Sequence, residues 1–232
     1  MMTPRLTRAY SSILLPGKII SDQYRLDEQI GRGGMSHIWR VIDIDIGSTL
    51  ALKIYPKHEL FDREIQALRK IKHPHIVSMV DVVEHVDETE AIPYMTLLEL
   101  GTYSLEEYAR HKRPIPTTKL KDILTEVVLA LAACERAGVV HCDIKPHNIM
   151  FFRAPGDGFD RWKLIDFDSA CSLGQPVTRS TLEYRAPEII RAIRDNRIPI
   201  ATYAVDMFAI GRVIQWLSSS EESFWPHLKE SE

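Results

Sequence analysis

Cysteine is scarce in this chain: Cys134, Cys142 and Cys171 are the only three among 232 residues, with no CxxC pair and no zinc-type spacing to the histidines. A disulfide scaffold is excluded, and free thiols imply a reducing, cytoplasmic setting. Long apolar runs are missing too. No stretch approaches the roughly 18 residues that cross a bilayer, and Ile13-Leu14-Leu15 is too short for a secretory core. An excess of one charge is also lacking. Twenty-nine basic against 32 acidic residues give a net charge of -3, which argues against broad binding to nucleic acid or an anionic membrane. What remains is ordinary for a soluble globular chain: 45% apolar and 26% charged residues, enough for one large domain or two small lobes sharing a cleft.

The first 21 residues hold Arg5, Arg8 and Lys18 with no acid, and residues 1–23 read as a flexible leader. Such a composition leaves mitochondrial targeting open. From Tyr24 to Tyr55, β-branched and aromatic residues alternate in short runs, broken by Gly31-Arg32-Gly33-Gly34 and Gly47-Ser48. That pattern predicts three strands in a meander. Phe61, Ile65, Leu68 and Ile71 then mark one helical face ending before Pro74. Strands around 76–83 and 93–98 would complete a five-stranded antiparallel sheet with one helix.

Beyond Gly101 the pattern is mainly helical. Leu120, Ile123, Leu124, Val127, Val128 and Leu131 mark a buried face entered at Pro116-Thr117-Thr118, and a second helix over 203–217 is apolar on most sides. The simplest reading is an α+β chain: a β-rich lobe over 24–98, a hinge at 99–101 and an α-rich lobe over 102–232.

Gly31-Arg32-Gly33-Gly34-Met35-Ser36 lies between two predicted strands, which disfavours a dinucleotide-binding turn. Glycines there let backbone N–H groups approach phosphate oxygens, though a plain hairpin turn would need them equally. Ala51-Leu52-Lys53 places a lysine in an apolar strand, where an ammonium needs an anionic partner. Glu64 on the following helix is the candidate, with a solvated lysine and a solvated acid as the plainer alternative. His141-Cys142-Asp143-Ile144-Lys145-Pro146-His147-Asn148 crowds an acid, a cation and an amide into a few residues of irregular chain. Asp143 can accept a proton from an attacking hydroxyl, Lys145 can neutralise phosphoryl charge, and Asn148 offers an oxygen to a divalent cation. Leu164-Ile165-Asp166-Phe167-Asp168 adds a carboxylate suited to the same Mg²⁺.

Together these segments resemble the protein-kinase signature set over about residues 24–217. The glycine-rich loop, Ala51-Leu52-Lys53, Glu64, His73-Pro74, the loop from His141 to Asn148, Asp166-Phe167, Ala186-Pro187-Glu188, and Asp206 with Gly211 occur in the family's order. Lys145-Pro146, and Thr181 ahead of Tyr184-Arg185-Ala186-Pro187-Glu188, resemble the serine/threonine branch. The resemblance implies a two-lobed kinase fold, ATP and Mg²⁺ as cofactors, and a protein substrate bearing Ser or Thr. It implies Asp143, Lys145 and Asn148 as catalytic, and Asn148 with Asp166 as metal ligands. Ile30, Ile38, Ala51 and Met150 would sandwich the adenine, Leu98 would guard the back of the pocket, and backbone groups of Glu99 to Gly101 would bond the base. Gly31, Gly33, Gly34 and Ser36 would cover the phosphates, with Lys53 held toward them by Glu64. His141 is implied to be a packing residue.

Several features depart from the family pattern. Ser36 replaces the third loop glycine, Asp168 replaces the glycine after Asp166-Phe167, and Cys142 replaces the arginine before Asp143. Lys53 and Glu64 are close in sequence for the family, and the usual final helices have no counterpart after Leu217. That end predicts an uncompensated Glu188 carboxylate, an uncovered apolar face on the 203–217 helix, and association with itself or a partner. Three readings therefore stand: an active serine/threonine kinase, a nucleotide-binding pseudokinase, and an interaction module with a relic cleft.

Overall fold

The computed structural model describes residues 14–32, 36–86, 91–110, 112–154 and 158–219. Most of the leader and the loop residues Gly33 and Gly34 lie outside the described residues. The chain divides into two compact units, Met1–Asp62 with Ser78–Leu100, and Arg63–Val77 with Gly101–Glu232.

In the first unit the meander is formed by β2 (Tyr24–Arg32), β3 (His37–Asp43) and β4 (Thr49–Ile54). Strict alternation sends Trp39, Val41 and Asp43 inward from β3. Asp43 also shapes the turn into β4: its Oδ1 accepts the Asp45 and Ile46 N–H groups, and Gly47, at φ +69°, takes the left-handed position. β5 (Met79–Val86) and β6 (Ala91–Glu99) complete the five expected strands. A sixth, β1 (Ile19–Ile20), pairs antiparallel with β2 at the edge, giving the order β1-β2-β3-β4-β6-β5. Two residues are too few to show alternation, so periodicity could not reveal it. The core gathers Ile20, Leu26, Trp39, Val41, Leu52, Ile54, Met95 and Leu97.

α1 (His58–Lys70) begins in the first unit, where Phe61 packs edge-on against Tyr55 at 5.6 Å, and continues into the second. Strand β5 starts three residues later than 76 because Ile76 is used elsewhere: it forms a parallel bridge to Leu164 within the second unit.

The second unit is built on α3 (Thr117–Arg136), whose buried stripe is Ile123, Val127, Ala130, Leu131 and Cys134. Val128, expected on that face, is exposed, because it lies a full helical step beyond the stripe. β7 (Tyr103–Ser104) leads into α2 (Leu105–Ala109) through a capping box between Ser104 and Glu107. Two small ladders matter most for the site. β9 (Ile149–Phe152) pairs with β10 (Arg161–Leu164), and β8 (Val139–Val140) pairs with β11 (Cys171–Ser172).

α4 (Pro187–Arg194) and α5 (Tyr203–Ser218) follow. Glu188, expected to be at least partly buried, is exposed in the first turn of α4, so water solvates its carboxylate and no compensating arginine is required. In α5 only one stripe is buried, through Val205, Asp206, Ala209, Ile210, Val213 and Leu217, while Met207 and Phe208 are exposed. A helix apolar on all sides does not itself specify which side packs.

Candidate active site

Two loops of the second unit are clamped side by side by the small ladders. Residues 141–148 run from the end of β8 to the start of β9, and 165–170 run from the end of β10 to the start of β11. Val140 pairs with Cys171 at one end and Ile149 with Leu164 at the other. The loops are therefore held at both ends. Between them the Ile165 N–H donates to the Asn148 carbonyl at 3.0 Å.

Asp143 is the hub. Its Oδ2 accepts from Lys145 Nζ at 2.7 Å and from Asn148 Nδ2 at 3.3 Å, while its Oδ1 accepts from the Thr181 N–H at 2.8 Å and the Thr181 hydroxyl at 2.7 Å. Lys145 Nζ also donates to Thr181 Oγ1 at 3.0 Å. Burial alone would raise the Asp143 carboxyl, but the Lys145 ammonium and the hydrogen bonds from Lys145 and Thr181 outweigh it and hold the group below the usual carboxylate range. The carboxylate is thus charged and aimed, and better suited to orienting a hydroxyl than to strong proton abstraction.

The sign of the linkage follows from that lowering. The native contacts of Asp143 stabilise the fold in full above the unfolded value of about 3.9, and that stability is lost as pH falls through the depressed native value. The difference in urea midpoint between the wild type and Asp143→Asn is expected to stay constant from about pH 8 to pH 5 and to shrink below about pH 4.

Asn148 is fully buried and anchored by Nδ2, which donates to the Asp143 carbonyl at 2.9 Å. Its Oδ1 is buried with no hydrogen-bond partner. An orphaned acceptor oxygen is costly in a protein interior and fits a divalent cation. Asp166 takes the left-handed conformation, φ +65° and ψ +68°, uncommon for a non-glycine residue though aspartate tolerates it better than most. The Phe167 N–H donates to the fully buried Glu64 at 3.3 Å, tying α1 to this loop. Asp168, in the family's glycine position, is buried, accepts from the Ser169 hydroxyl at 3.0 Å and pairs with Arg179 at 3.4 Å.

His141 uses both ring nitrogens structurally. Nε2 meets the Ile165 carbonyl at 3.0 Å, Nδ1 accepts the Asp143 N–H at 3.3 Å, and the ring packs on Phe167 with centroids 4.6 Å apart. This agrees with a packing role. Asp206, on α5, accepts the His141 N–H at 2.7 Å and the Cys142 N–H at 2.9 Å. Burial pushes its carboxyl up, opposed by His141 and by those two donors. Sequence reasoning marked Asp206 and Thr181 only as family signatures. Their roles depend on contacts 65 and 38 residues away, which no local pattern carries.

Of the residues implied for the nucleotide, the structure brings together Gly101 and Met150 in the second unit: a Cβ at Gly101 would overlap the Met150 thioether. In the first unit Ala51 is paired with Leu98, Ile38 with Lys53, and Gly31 with Ile38. Lys53 and Ser36 are buried and Ile30 is largely exposed. The Glu99 side chain accepts the Ser78 N–H at 2.6 Å, and its own N–H donates to the Ser78 carbonyl at 3.0 Å, so that amide is committed within the sheet.

A family model described as the protein kinase domain matches residues 24–232. The "Probable serine/threonine-protein kinase PknB" of Lactococcus lactis is 27% identical over 223 residues, covering 90% of this chain and 33% of that protein. The serine/threonine-protein kinase PrkC of Bacillus subtilis is 30% identical over 215 residues, covering 87% of this chain and 31% of that protein. The cyclin-dependent kinase F-4 of Oryza sativa is 29% identical over 205 residues, covering 83% and 41%. The chain spans about a third of the length of the first two of these relatives.

Proposed function

Because the chain belongs to the protein kinase family, we propose that it transfers the γ-phosphoryl group of ATP to a serine or threonine hydroxyl of a protein substrate. The convergence of Lys145, Asn148 and Thr181 on the Asp143 carboxylate carries this reading, since packing alone gives no reason to hold four donors on one half-buried acid. The Thr181 hydroxyl sits on Asp143 as a substrate hydroxyl would, and a hydroxyl held there is oriented for attack.

Asp143 orients the hydroxyl and takes its proton as the bond to phosphorus forms. Lys145, already beside that carboxylate, offsets charge on the transferring group. The family implies ATP and a divalent metal. Asn148 Oδ1 and Asp166 would hold Mg²⁺, which when bound neutralises phosphate charge. Lys53 would pair with the phosphates, with Glu64 as the acid the family resemblance implies for it. Ile30, Gly31, Gly33, Gly34, Ser36, Ile38, Ala51, Leu98, Glu99, Gly101 and Met150 would form the nucleotide site. The three free cysteines suit a reducing compartment. Among the described residues no helix is long and apolar enough to cross a membrane.

Incubating the purified chain with γ-labelled ATP, Mg²⁺ and a basic protein tests the reading. Label appearing on serine or threonine supports it. Nucleotide binding without transfer would establish a pseudokinase, and no binding would leave an interaction module.

Arginines bind side chains of the segment from Asp166 to Glu188 directly. Arg63 donates to the Thr178 hydroxyl, Arg185 to the Ser180 hydroxyl at 2.9 Å, and Arg179 pairs with Asp168. Phosphatase treatment is therefore expected to change the transfer rate less than tenfold. A larger fall would show that a phosphate on Thr178 or Ser180 supplies the missing order.

A further inference from the structure

Cys142 occupies the place next to Asp143, and its side chain points away from the catalytic loop. The β8–β11 register sets Cys171 opposite Val140, on the strand face shared by the residue two positions on, which is Cys142. Cys142 leaves the strand at φ +67° with its own N–H and that of His141 held by Asp206. Its Sγ lies 3.5 Å from Cys171 Sγ. Cys142 is buried in the core cluster with Val177, Ile189 and Val205, whereas Cys171 is half-buried. Cys171 lines an open cavity of about 330 Å³ with Arg63, Gln66, Lys70 and Thr178.

From this geometry we propose that Cys142 and Cys171 are a hydroperoxide-reactive dithiol, and that their oxidation to a disulfide stops the catalytic loop. The effect on phosphotransfer rests on the kinase reading above; the site itself does not. The two thiols divide the work. The hydrogen bond from Cys142 lowers the Cys171 thiol, burial opposes it, and the Arg63 charge adds to the lowering. The bond to Cys171 and burial push Cys142 far up. The cavity-facing, arginine-flanked thiol is the one that ionises, and the buried one is the resolving partner.

The chemistry closes with hydrogen peroxide as oxidant. The Cys171 thiolate attacks one peroxide oxygen, the O–O bond breaks, and the departing hydroxide takes a proton and leaves as water, giving a sulfenic acid. Cys142 sulfur then attacks the Cys171 sulfur, the S–O bond breaks, and the thiol proton leaves with the hydroxide as a second water. Two thiols are oxidised by two electrons and one peroxide is reduced to two waters.

A disulfide is about 2.05 Å long, so the two sulfurs must close by about 1.5 Å from their 3.5 Å separation. Cys142 cannot follow without straining its N–H bond to Asp206 or shifting Asp143, its neighbour in the chain. A displacement of about 1 Å at a reacting group typically costs on the order of a hundredfold in rate.

The three cysteines fall in separate tryptic peptides, cut at Lys121, Arg136, Arg153, Lys163 and Arg179, so the product is read directly. The full chain is titrated with hydrogen peroxide, quenched with a maleimide and digested without reductant. The expected product is a cross-link of the Cys142 and Cys171 peptides, two hydrogens lighter than their sum, with Cys134 still free. Phosphotransfer should fall at least tenfold in parallel and return with dithiothreitol. Cys171→Ser should keep its rate in peroxide, and Cys134→Ala should behave as wild type. Stoichiometric peroxide that leaves both thiols free, or takes Cys171 to the sulfinic acid without a cross-link, overturns the dithiol. A complete cross-link with the rate unchanged overturns its effect on the loop. Should the reduced chain transfer no phosphate at all, the kinase reading fails, and the cross-link alone still decides the dithiol.

Discussion

Asp143→Asn is expected to lower the phosphotransfer rate about 10²–10⁴-fold while leaving ATP affinity within about twofold. The residue meets Lys145 and Thr181, second-unit groups on the hydroxyl side of the chemistry, and of Asn148 it meets Nδ2 and not the Oδ1 proposed as metal ligand. The NH₂ group that replaces one carboxylate oxygen cannot accept, so either the Lys145 contact or the Thr181 contacts are lost, and with the negative charge gone the hydroxyl loses its orienting charge and its proton acceptor. Asp166→Asn should behave differently. It weakens the proposed metal ligand that works with the orphaned Asn148 oxygen, so nucleotide affinity and rate should fall together. Isothermal titration with Mg²⁺-ATP, alongside single-turnover transfer, separates the two. Equal loss of affinity in both variants would defeat this division of roles, and undiminished transfer by Asp143→Asn would remove Asp143 from the chemistry.

The second large effect is expected at Asp206, which touches no substrate. Its carboxylate is the acceptor for the His141 and Cys142 N–H groups, and all three residues are buried. Asp206→Ala leaves two buried donors unsatisfied, each costing about 1–3 kcal/mol, so the chain should lose about 2–6 kcal/mol. For a protein of this size each kcal/mol lowers the melting temperature by about 2–4 °C. Asp206→Asn keeps one amide oxygen for one of the two N–H groups and should fall between. Calorimetry is the direct measurement. A wild-type melting temperature in Asp206→Ala would show that water or a shifted loop replaces the acceptor. Because Cys142 sits at φ +67° and directly precedes Asp143, transfer should fall with stability in the alanine variant even at temperatures where it remains folded.

The three-stranded meander, the two long helices and the polar loops were legible because each carries a local period or a local crowding of charge. Asp143, Lys145, Asn148 and Asp166 could be picked out on the same ground: polar groups of that kind, in irregular chain after an apolar helix, are costly unless used. Where expectation and structure part, the cause is a contact at long range. Hydrophobicity puts Ile76 in the first sheet, but it bridges to Leu164. Helical spacing puts Val128 on a buried face, but the stripe of α3 is set by what packs on it. The family pattern gives Glu188 a partner, but it reaches solvent.

The sequence by itself determined the family resemblance, the type and order of the main elements, and the identity of the charged groups, since each follows from period, turn chemistry or the expense of a polar residue in its immediate neighbourhood. Tertiary structure alone decided how those groups meet. Two short ladders, Ile149 with Leu164 and Val140 with Cys171, hold the 141–148 and 165–170 loops against each other. In the folded chain Asn148 Oδ1 is an orphan, Thr181 sits on Asp143, and the Cys142 and Cys171 sulfurs lie 3.5 Å apart. Strands of two to four residues are too short to announce their partners. Their register is set by the packing around them, and so the site's geometry appears only when the chain is folded.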